Sequence, residues 1–500
     1  MVFAGCCSAP LSPVVHSIGG GAIFLRGDVT LCLLNAARML RGQVMYKDFF
    51  QITFPGAELV YFGVFKLFGP RAWIPNAMLL VLGLALTWVS IVISSKVMRG
   101  WGVFLPAVLL LTFSVYKGLD TSHHWYSVLA VMTAVALTIE KRTRARRAVA
   151  GMLCGLALFF TQSRGLAALF GFSVYLMWEH RRKGQTWLEL LRNQASLAGA
   201  FLLTVVTTNT YFVWKAGLTR FLYCTVVFVR RYFATHTPSD NWRVYLLSPP
   251  PLRAWHGLAW LLLYVLVHVL VPFVYLFFFL RWHREARFHP EYPWDRLMLI
   301  NLTGLSLFVG VASAPSYFRL CVVSPPALIL FAWLLSLPGR PETILRTLLW
   351  AFALVLVFVE PFNTQRHLTP CLDTPSGRIA FLAPELYDRY RWIRDHTRPG
   401  DFFYQADWAD TYFALELNNP TPLPFLTSTD YTRPEQVQQV VKGLAEHNVL
   451  LVLWSSVGLD MHLLEGDAPD HLGPLRAHLR TQYYVVKTFT GGDEIWQRRE

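Results

Sequence analysis

Charge is scarce in this 500-residue chain: Asp, Glu, Lys and Arg make up 15% of it, against roughly a quarter in soluble proteins. That scarcity excludes a mostly soluble globular protein, an intrinsically disordered chain and a charged coiled coil. Cysteine is scarce too, and its 7 residues form no CxxC and no zinc-like Cys/His spacing. A disulfide scaffold and a zinc module are thereby excluded. Cys6-Cys7 lacks the upstream charged and apolar stretch of a lipidation signal. There is no internal repeat, no low-complexity segment, and no phosphate-cradling glycine loop, GxSxG elbow or nucleotide fingerprint in a suitable setting.

What is present is apolar. Hydrophobic residues account for 54% of the chain, with 18 Trp, 20 Tyr and 36 Phe, and the mean hydropathy is +0.38. Such aromatics suit membrane interfaces. The net charge of +14 is unevenly spread: Ser376–Glu500 holds 12 basic and 17 acidic residues, the remainder 33 and 14. The basic residues fall between apolar runs. They do not gather on a soluble face with stacking aromatics, so no nucleic acid is expected as partner.

Stretches near the ~20 residues needed to cross a ~30 Å hydrocarbon layer recur near 73–96, 101–117, 125–140, 148–162, 165–179, 195–214, 257–280, 297–313, 318–337 and 344–360. A weaker one at 9–25 is interrupted by Pro10, Pro13, His16 and Gly19-Gly20-Gly21. The sequence thus predicts an all-α polytopic membrane protein of about eleven crossings, each helical because a helix satisfies its own backbone in lipid. Lys141–Arg147, Arg181-Arg182-Lys183 and the group Arg281, Arg284, Arg287 and Arg296 occupy loops of one parity, while 118–124 and 314–317 hold almost no basic residues. The excess of Lys and Arg in cytoplasmic loops then turns 26–72, 118–124, 215–255 and everything after about 361 outward. The loop 215–255, with Arg220, Arg230, Arg231 and Arg243, runs against the pattern; longer translocated loops escape the rule.

From about 376 the pattern changes. Helices are predicted at 385–396, from Thr432-Arg433-Pro434-Glu435 to about 447, and at 470–481, with strands at 401–405, 449–454 and 483–489. Thr432 reads as the N-cap with Glu435 three positions on, and Gly492–Trp496 reads as a hairpin turn. The expected organisation is a transmembrane domain over 1–375, with a first outward loop at 26–72, and a small extracytoplasmic α/β domain over 376–500.

In a body with so few acids, the outward ones are conspicuous: Asp28, Asp48, Glu58, Asp120, Asp240, Glu360 and Asp373. Leu31, Leu34, Ala37, Arg38 and Arg41 describe an amphipathic helix between Asp28 and Asp48, and Pro55–Phe68 a second one ending at Gly69. Helices of this kind lie along a bilayer surface and can wall a site.

Gly27-Asp28, then Leu40-Arg41-Gly42-Gln43-Val44-Met45-Tyr46-Lys47-Asp48-Phe49-Phe50, then Pro55-Gly56 and Phe65-Lys66-Leu67-Phe68-Gly69, resembles the first outward loop of the GT-C glycosyltransferases. The branch is that of aminoarabinose and protein-mannosyl transferases and rhizobial lipopolysaccharide glycosyltransferases. Phe318-Arg319-Leu320 with Pro325-Pro326-Ala327 is similar to a further element of that branch. The resemblance covers roughly 26–215, and the rest in outline. It implies inverting transfer of a hexosyl or pentosyl unit from a polyprenyl-phosphate carrier to a lipid, glycan or protein acceptor, at the outer face of a bacterial inner or cell membrane. Asp28 matches the position of the family's general base; the alternative read from the residues is an N-cap, and the two roles can coexist. The chain departs from the family where Asp28-Val29 replaces Asp-Glu and Thr53-Phe54 precedes the loop proline in place of Glu-Lys.

Asp48 joins Asp28 as a catalytic candidate, or else pairs with Lys47 or Arg41. Arg319 and Arg164 are candidates for the donor phosphate, since a guanidinium fork binds two oxygens; for Arg319 the alternative is a snorkelling anchor. His123, His124, Arg230 and Arg231 are candidates for acceptor, sugar or headgroup contact. Adjacent histidines rarely share one ion and no third ligand stands at a telling spacing, so no metal or other cofactor is expected. The expected partners are a polyprenyl-phosphate sugar, membrane lipids and an acceptor. Two other classes fit the layout: a flippase for lipid-linked sugars and a non-enzymatic membrane scaffold with an outward sensing domain.

Overall fold

The computed structural model describes residues 27–112, 119–233, 266–312, 315–337, 339–367, 370–381, 383–460 and 470–500. The weak span at 9–25, Cys6-Cys7 and Asp240 lie outside them, as do parts of the spans near 101–117 and 257–280. The described chain divides into two compact units: one drawn from 78–209 and 266–365, the other from 27–77, 210–233 and 366–500.

The first unit is a helical body. Helices Trp73–Ser94, His123–Thr138, Arg144–Phe160, Gln162–Lys183, Trp187–Ala216, Val271–Glu285, Trp294–Val309 and Arg340–His367 fall on expected spans. Among the described residues, Trp73–Ser94, Trp187–Ala216 and Leu266–Glu285 are long and apolar enough to cross a membrane. A fourth span arises if Tyr317–Val323 and Pro325–Ser336, bent by 67°, act as one. The expected count of about eleven is therefore not reproduced on length and composition. The reason is visible in the helices themselves: Arg144–Phe160 begins with three arginines in its first four residues, and Gln162–Lys183 ends in His180-Arg181-Arg182-Lys183. The bend follows from Pro325-Pro326, which lack the N–H groups that would continue the preceding turn.

Small residues let helices close on one another. A Cβ on Gly151 would run into the carbonyl of Leu197, and one on Gly155 would stand 2.9 Å from that of Phe201. The four-residue spacing puts both glycines on one face, so Arg144–Phe160 meets Trp187–Ala216 at backbone distance. Arg142 and Lys183 both bind the buried Glu179, at 3.1 and 2.6 Å, so Arg142 ties the loop before Arg144–Phe160 to the end of helix Gln162–Lys183.

The second unit mixes helices with two sheets. β1 (Cys371–Thr374) and β2 (Gly377–Ala380) form a hairpin. β3 (Phe403–Gln405), β4 (Leu451–Ser455), β5 (Tyr483–Thr488) and β6 (Asp493–Arg498) form a sheet in the order β3-β4-β6-β5, with β3 parallel to β4 and the other pairs antiparallel. Leu451, Val452, Leu453 and Trp454 are all buried, the near-continuous apolar run of an interior strand. Helices Pro384–His396, Pro434–Glu446 and Gly473–Gln482 stand where they are predicted. The hairpin β1–β2 was not expected, and Asp493–Trp496 is strand, the reversal falling at Gly491-Gly492, where Gly492 has φ +83. The helix from Pro434 is capped one residue later than predicted. Arg433 is the N-cap and donates its N–H to Gln436 Oε1 at 2.9 Å, while the Thr432 hydroxyl accepts from Thr427 N.

Candidate functional site

The first loop begins at Gly27, whose φ of +68 makes it the N-cap. Asp28 is thus the first residue inside the helix Asp28–Leu40, not its cap, and its charge complements the helix N-terminus. This helix is buried nearly all round, from Val29 through Ala36, so it is sheathed in protein rather than laid on a bilayer surface. The second helix, Gly56–Phe68, does have two faces: Glu58, Tyr61 and Phe65 are buried while Leu67 and Phe68 are exposed.

Between them the chain makes a tight turn. Tyr46 has φ +67, a region a bulky residue seldom enters, and several contacts over-determine it. Its N–H donates to Phe49 O at 2.9 Å and its hydroxyl to Thr53 O at 2.6 Å. Its carbonyl accepts from Arg220 Nε, and its ring stands edge-on to Phe212 and Phe221. Arg220, which breaks the charge pattern of its loop, thus has a structural task. Asp48 closes the same turn: its Oδ2 accepts Val44 N–H at 2.7 Å and its N–H donates to Val44 O at 2.8 Å. The residue is otherwise exposed. Arg38 is buried, donates to Gln43 Oε1 at 3.0 Å and to the carbonyl of Thr421, and is drawn down to about 10 by desolvation.

Around half-buried Asp28, within this unit, stand an acid and a row of aromatics. Its charge bears on Glu58 and on Tyr431. Trp408 donates Nε1–H to Thr30 Oγ1 at 3.0 Å, and Thr30 in turn donates to Gly27 O at 2.8 Å. Trp408 packs on Phe425 at 5.1 Å, Phe425 stacks on Tyr431 at 5.3 Å, and Tyr431 meets Phe228 edge-on at 5.2 Å. Arg433 lies over the Tyr232 ring at 4.3 Å. Burial, then the Asp28 charge, pushes the Tyr431 phenol up. Arg230 and Arg231, in the adjoining turn Val229–Phe233, are exposed. Nothing in the local sequence marks Trp408, Phe425 or Tyr431; they enter through tertiary folding.

In the helical body the structure brings together three residues read separately. Arg164, 1% exposed, directs Nη1 to His124 Nδ1 at 2.7 Å, to His124 O at 3.2 Å and to Ser127 Oγ at 3.3 Å. The charge of Arg319 bears on both Arg164 and His124, and that of Asp120 on Arg164. Arg319 follows Phe318, whose ring meets that of His124 at 5.1 Å. A guanidinium has no acceptor, so His124 Nδ1 must accept and its Nε2 carries the hydrogen. The His123 ring lies tilted by 43° against that of His124, with centroids 3.9 Å apart, and the His123 carbonyl accepts from Thr161 at 3.2 Å. Asp120 Oδ1 takes both the N–H and the hydroxyl of Ser122, at 3.0 and 2.5 Å, fixing the helix start. Arg164 and Arg319 thus stand close enough to feel one another's charge beside His124.

No protein-family model matches the chain, and no curated protein matches it in sequence. Among solved structures it is similar to ArnT from Cupriavidus metallidurans bound to undecaprenyl phosphate, with a TM-score of 0.56 and 13% identity over 97% of this chain and 95% of that one. The same protein in the apo state gives 0.53 at 13% identity, with 97% and 95% covered. The archaeal oligosaccharyltransferase AglB from Archaeoglobus fulgidus, in complex with an inhibitory peptide and a dolichol-phosphate, gives 0.46 at 10% identity, over 98% of this chain and 73% of that one. The last value is too low to carry an argument. The likeness to ArnT shows a shared fold along nearly the whole chain.

Proposed function

We propose that this chain is an integral membrane glycosyltransferase that moves a sugar from a polyprenyl-phosphate carrier to a lipid, glycan or protein acceptor at the extracytoplasmic face. The observation that carries the reading is the gathering of Arg164 and Arg319 around His124 in a largely apolar body. Like charges repel strongly where water is excluded, and Asp120 bears on Arg164 with the opposite sign. A phosphate suits a pair of guanidinium groups, and the ArnT structure of similar fold is bound to undecaprenyl phosphate.

In this reading an acceptor hydroxyl attacks the anomeric carbon from the side opposite the carrier. The carbon–oxygen bond to phosphate breaks, and its electron pair stays on the phosphate, whose charge Arg164 and Arg319 offset. The hydroxyl proton passes to Asp28, and the new glycoside is inverted. Trp408 and Phe425 offer flat faces to the C–H side of a sugar ring. The arginine-rich loops lie in the cytoplasm and the α/β segment after 376 outside.

The test is transfer by the full-length protein in lipid nanodiscs, with synthetic polyprenyl-phosphate sugars as donors and product read by mass spectrometry. Transfer is expected from wild type and lost in Asp28→Asn, with membrane assembly intact. Full activity in that variant removes Asp28 from the mechanism, and carrier movement across liposomes without any glycosidic bond would replace the reading by a flippase.

A further inference from the structure

Glu58 is the most deeply buried acid of the first loop, 1% exposed, and the reaction as written does not use it. Its hydrogen-bond partners are two amides, and the set is unbalanced. Gln51 Nε2 donates to Glu58 Oε1 at 3.0 Å, and Asn35 Nδ2 approaches the same oxygen at 3.5 Å. The Gln51 amide cannot be turned round, because its Oε1 accepts Ile52 N–H at 2.9 Å. Both donors therefore converge on Oε1. Glu58 Oε2 and Asn35 Oδ1 are left as buried acceptors with no donor.

An ionised carboxylate spreads its charge over both oxygens and supplies no hydrogen, so it would leave both acceptors bare, at about 1–3 kcal/mol each. A carboxylic acid protonated on Oε2 supplies the one missing donor. The acceptor it needs belongs to the amide already engaged with Oε1, so acid and amide can join edge to edge through two hydrogen bonds. We infer that Glu58 is a neutral carboxylic acid paired with the Asn35 carboxamide, a positioning group that spares Asp28 a second negative charge on the neighbouring helix.

The electrostatics agree: burial, with a smaller push from Asp28, raises the Glu58 carboxyl to about 7. Tyr46, facing it from the loop, is kept protonated by burial, and Cys224, facing Tyr46 from the segment Tyr223–Val227, is pushed up to about 11. Arg38, one turn beyond Asn35, is turned to Gln43 and Thr421. Helix Asp410–Leu415 packs through Phe413 on Phe65, and its Tyr412 bears on Arg38. Glu58 is thus protonated below about 7 and ionised above it. The charge state stands on its own; its bearing on transfer rests on the reading of Asp28 as base.

Infrared difference spectroscopy of the full-length protein, stepped from pH 6 to pH 9 in water and in deuterium oxide, tests it. A deuterium-sensitive carboxylic-acid carbonyl band is expected at pH 6, gone at pH 9, absent in Glu58→Gln and retained in Asp407→Asn. Asn35→Leu, which removes the amide but keeps the acid, should move the band to higher frequency. No such band in wild type, or one indifferent to both Glu58 and Asn35, overturns the inference. In transfer assays the wild-type rate should fall on the alkaline side and the fall should vanish in Glu58→Gln; an alkaline fall that persists in that variant overturns the link to catalysis. A normal band without any detectable transfer would instead defeat the enzymatic reading and leave the state of Glu58 standing.

Discussion

The two units build their functional chemistry by opposite means. In the helical body, His124, Arg164 and Arg319 each sit in the first turn of a helix, so regular elements deliver distant residues to one place simply by starting there. In the other unit, Asp28 is flanked by a turn held at Tyr46, a buried acid and aromatics from two further segments of chain. The first arrangement concentrates positive charge and one N–H donor, which suits an anion. The second concentrates acids and aromatic faces, which suits a hydroxyl and a sugar ring. The contrast teaches that a mostly apolar chain can confine its polar chemistry to helix ends and irregular backbone, leaving helix interiors to packing.

That contrast is sharpest in variants of opposite type. Asp28→Asn should lower transfer by ~10²–10⁴-fold, the range general base catalysis supplies, with unchanged yield of folded protein by size-exclusion chromatography. Arg164→Ala and Arg319→Ala should each weaken transfer by ~10–100-fold, as expected for losing a charge-assisted hydrogen bond. The double variant should lose less than the product of the two, since both act on one oxyanion; full additivity would separate them. Gly151→Leu should disturb packing rather than chemistry, at about 1–3 kcal/mol of overpacking, read as a lowered Tm with kcat less affected than protein yield.

Asp407 offers a pH test within the second unit. Burial, then the charges of Asp410 and Asp493, raise its carboxyl to about 6. A raised carboxyl stabilises the fold fully below its unfolded value and loses that contribution as pH rises through the folded one. Asp407→Asn should therefore gain in Tm over wild type between pH 4 and pH 7, and a constant difference across that range would contradict it. The smallest effect belongs to Arg230→Ala with Arg231→Ala. Exposed and screened, the pair should change transfer by no more than about threefold, a larger loss marking it as an acceptor contact.

Much of this was legible beforehand. The apolar runs located the helices, and their basic flanks explain why several are too short to pass as spans. Alternation and turn residues locate three helices and three strands of the α/β segment, but β6 reads as a turn, because Asp493 and Glu494 are polar residues next to Gly491-Gly492. As a strand it earns its place only by pairing with β4 on one side and β5 on the other, which no local pattern reveals. Asp28 and Arg319 were visible from motif resemblance. Asp48 was visible too, but the structure gives its carboxylate to Val44 N–H, a bond that depends on how the loop closes.

What the residue order determined by itself is composition-level physics: an apolar chain must form helices in lipid, glycine spaced by four permits close helix contact, and proline pairs bend. Which charges would meet was decided only by tertiary structure. His124, Arg164 and Arg319 come from three separate helices, and Glu58 from a helix next to the one bearing Asn35 and Asp28. Burial and charge proximity are properties of space, and a carboxyl such as Glu58 acquires its proton from surroundings that sequence distance does not encode.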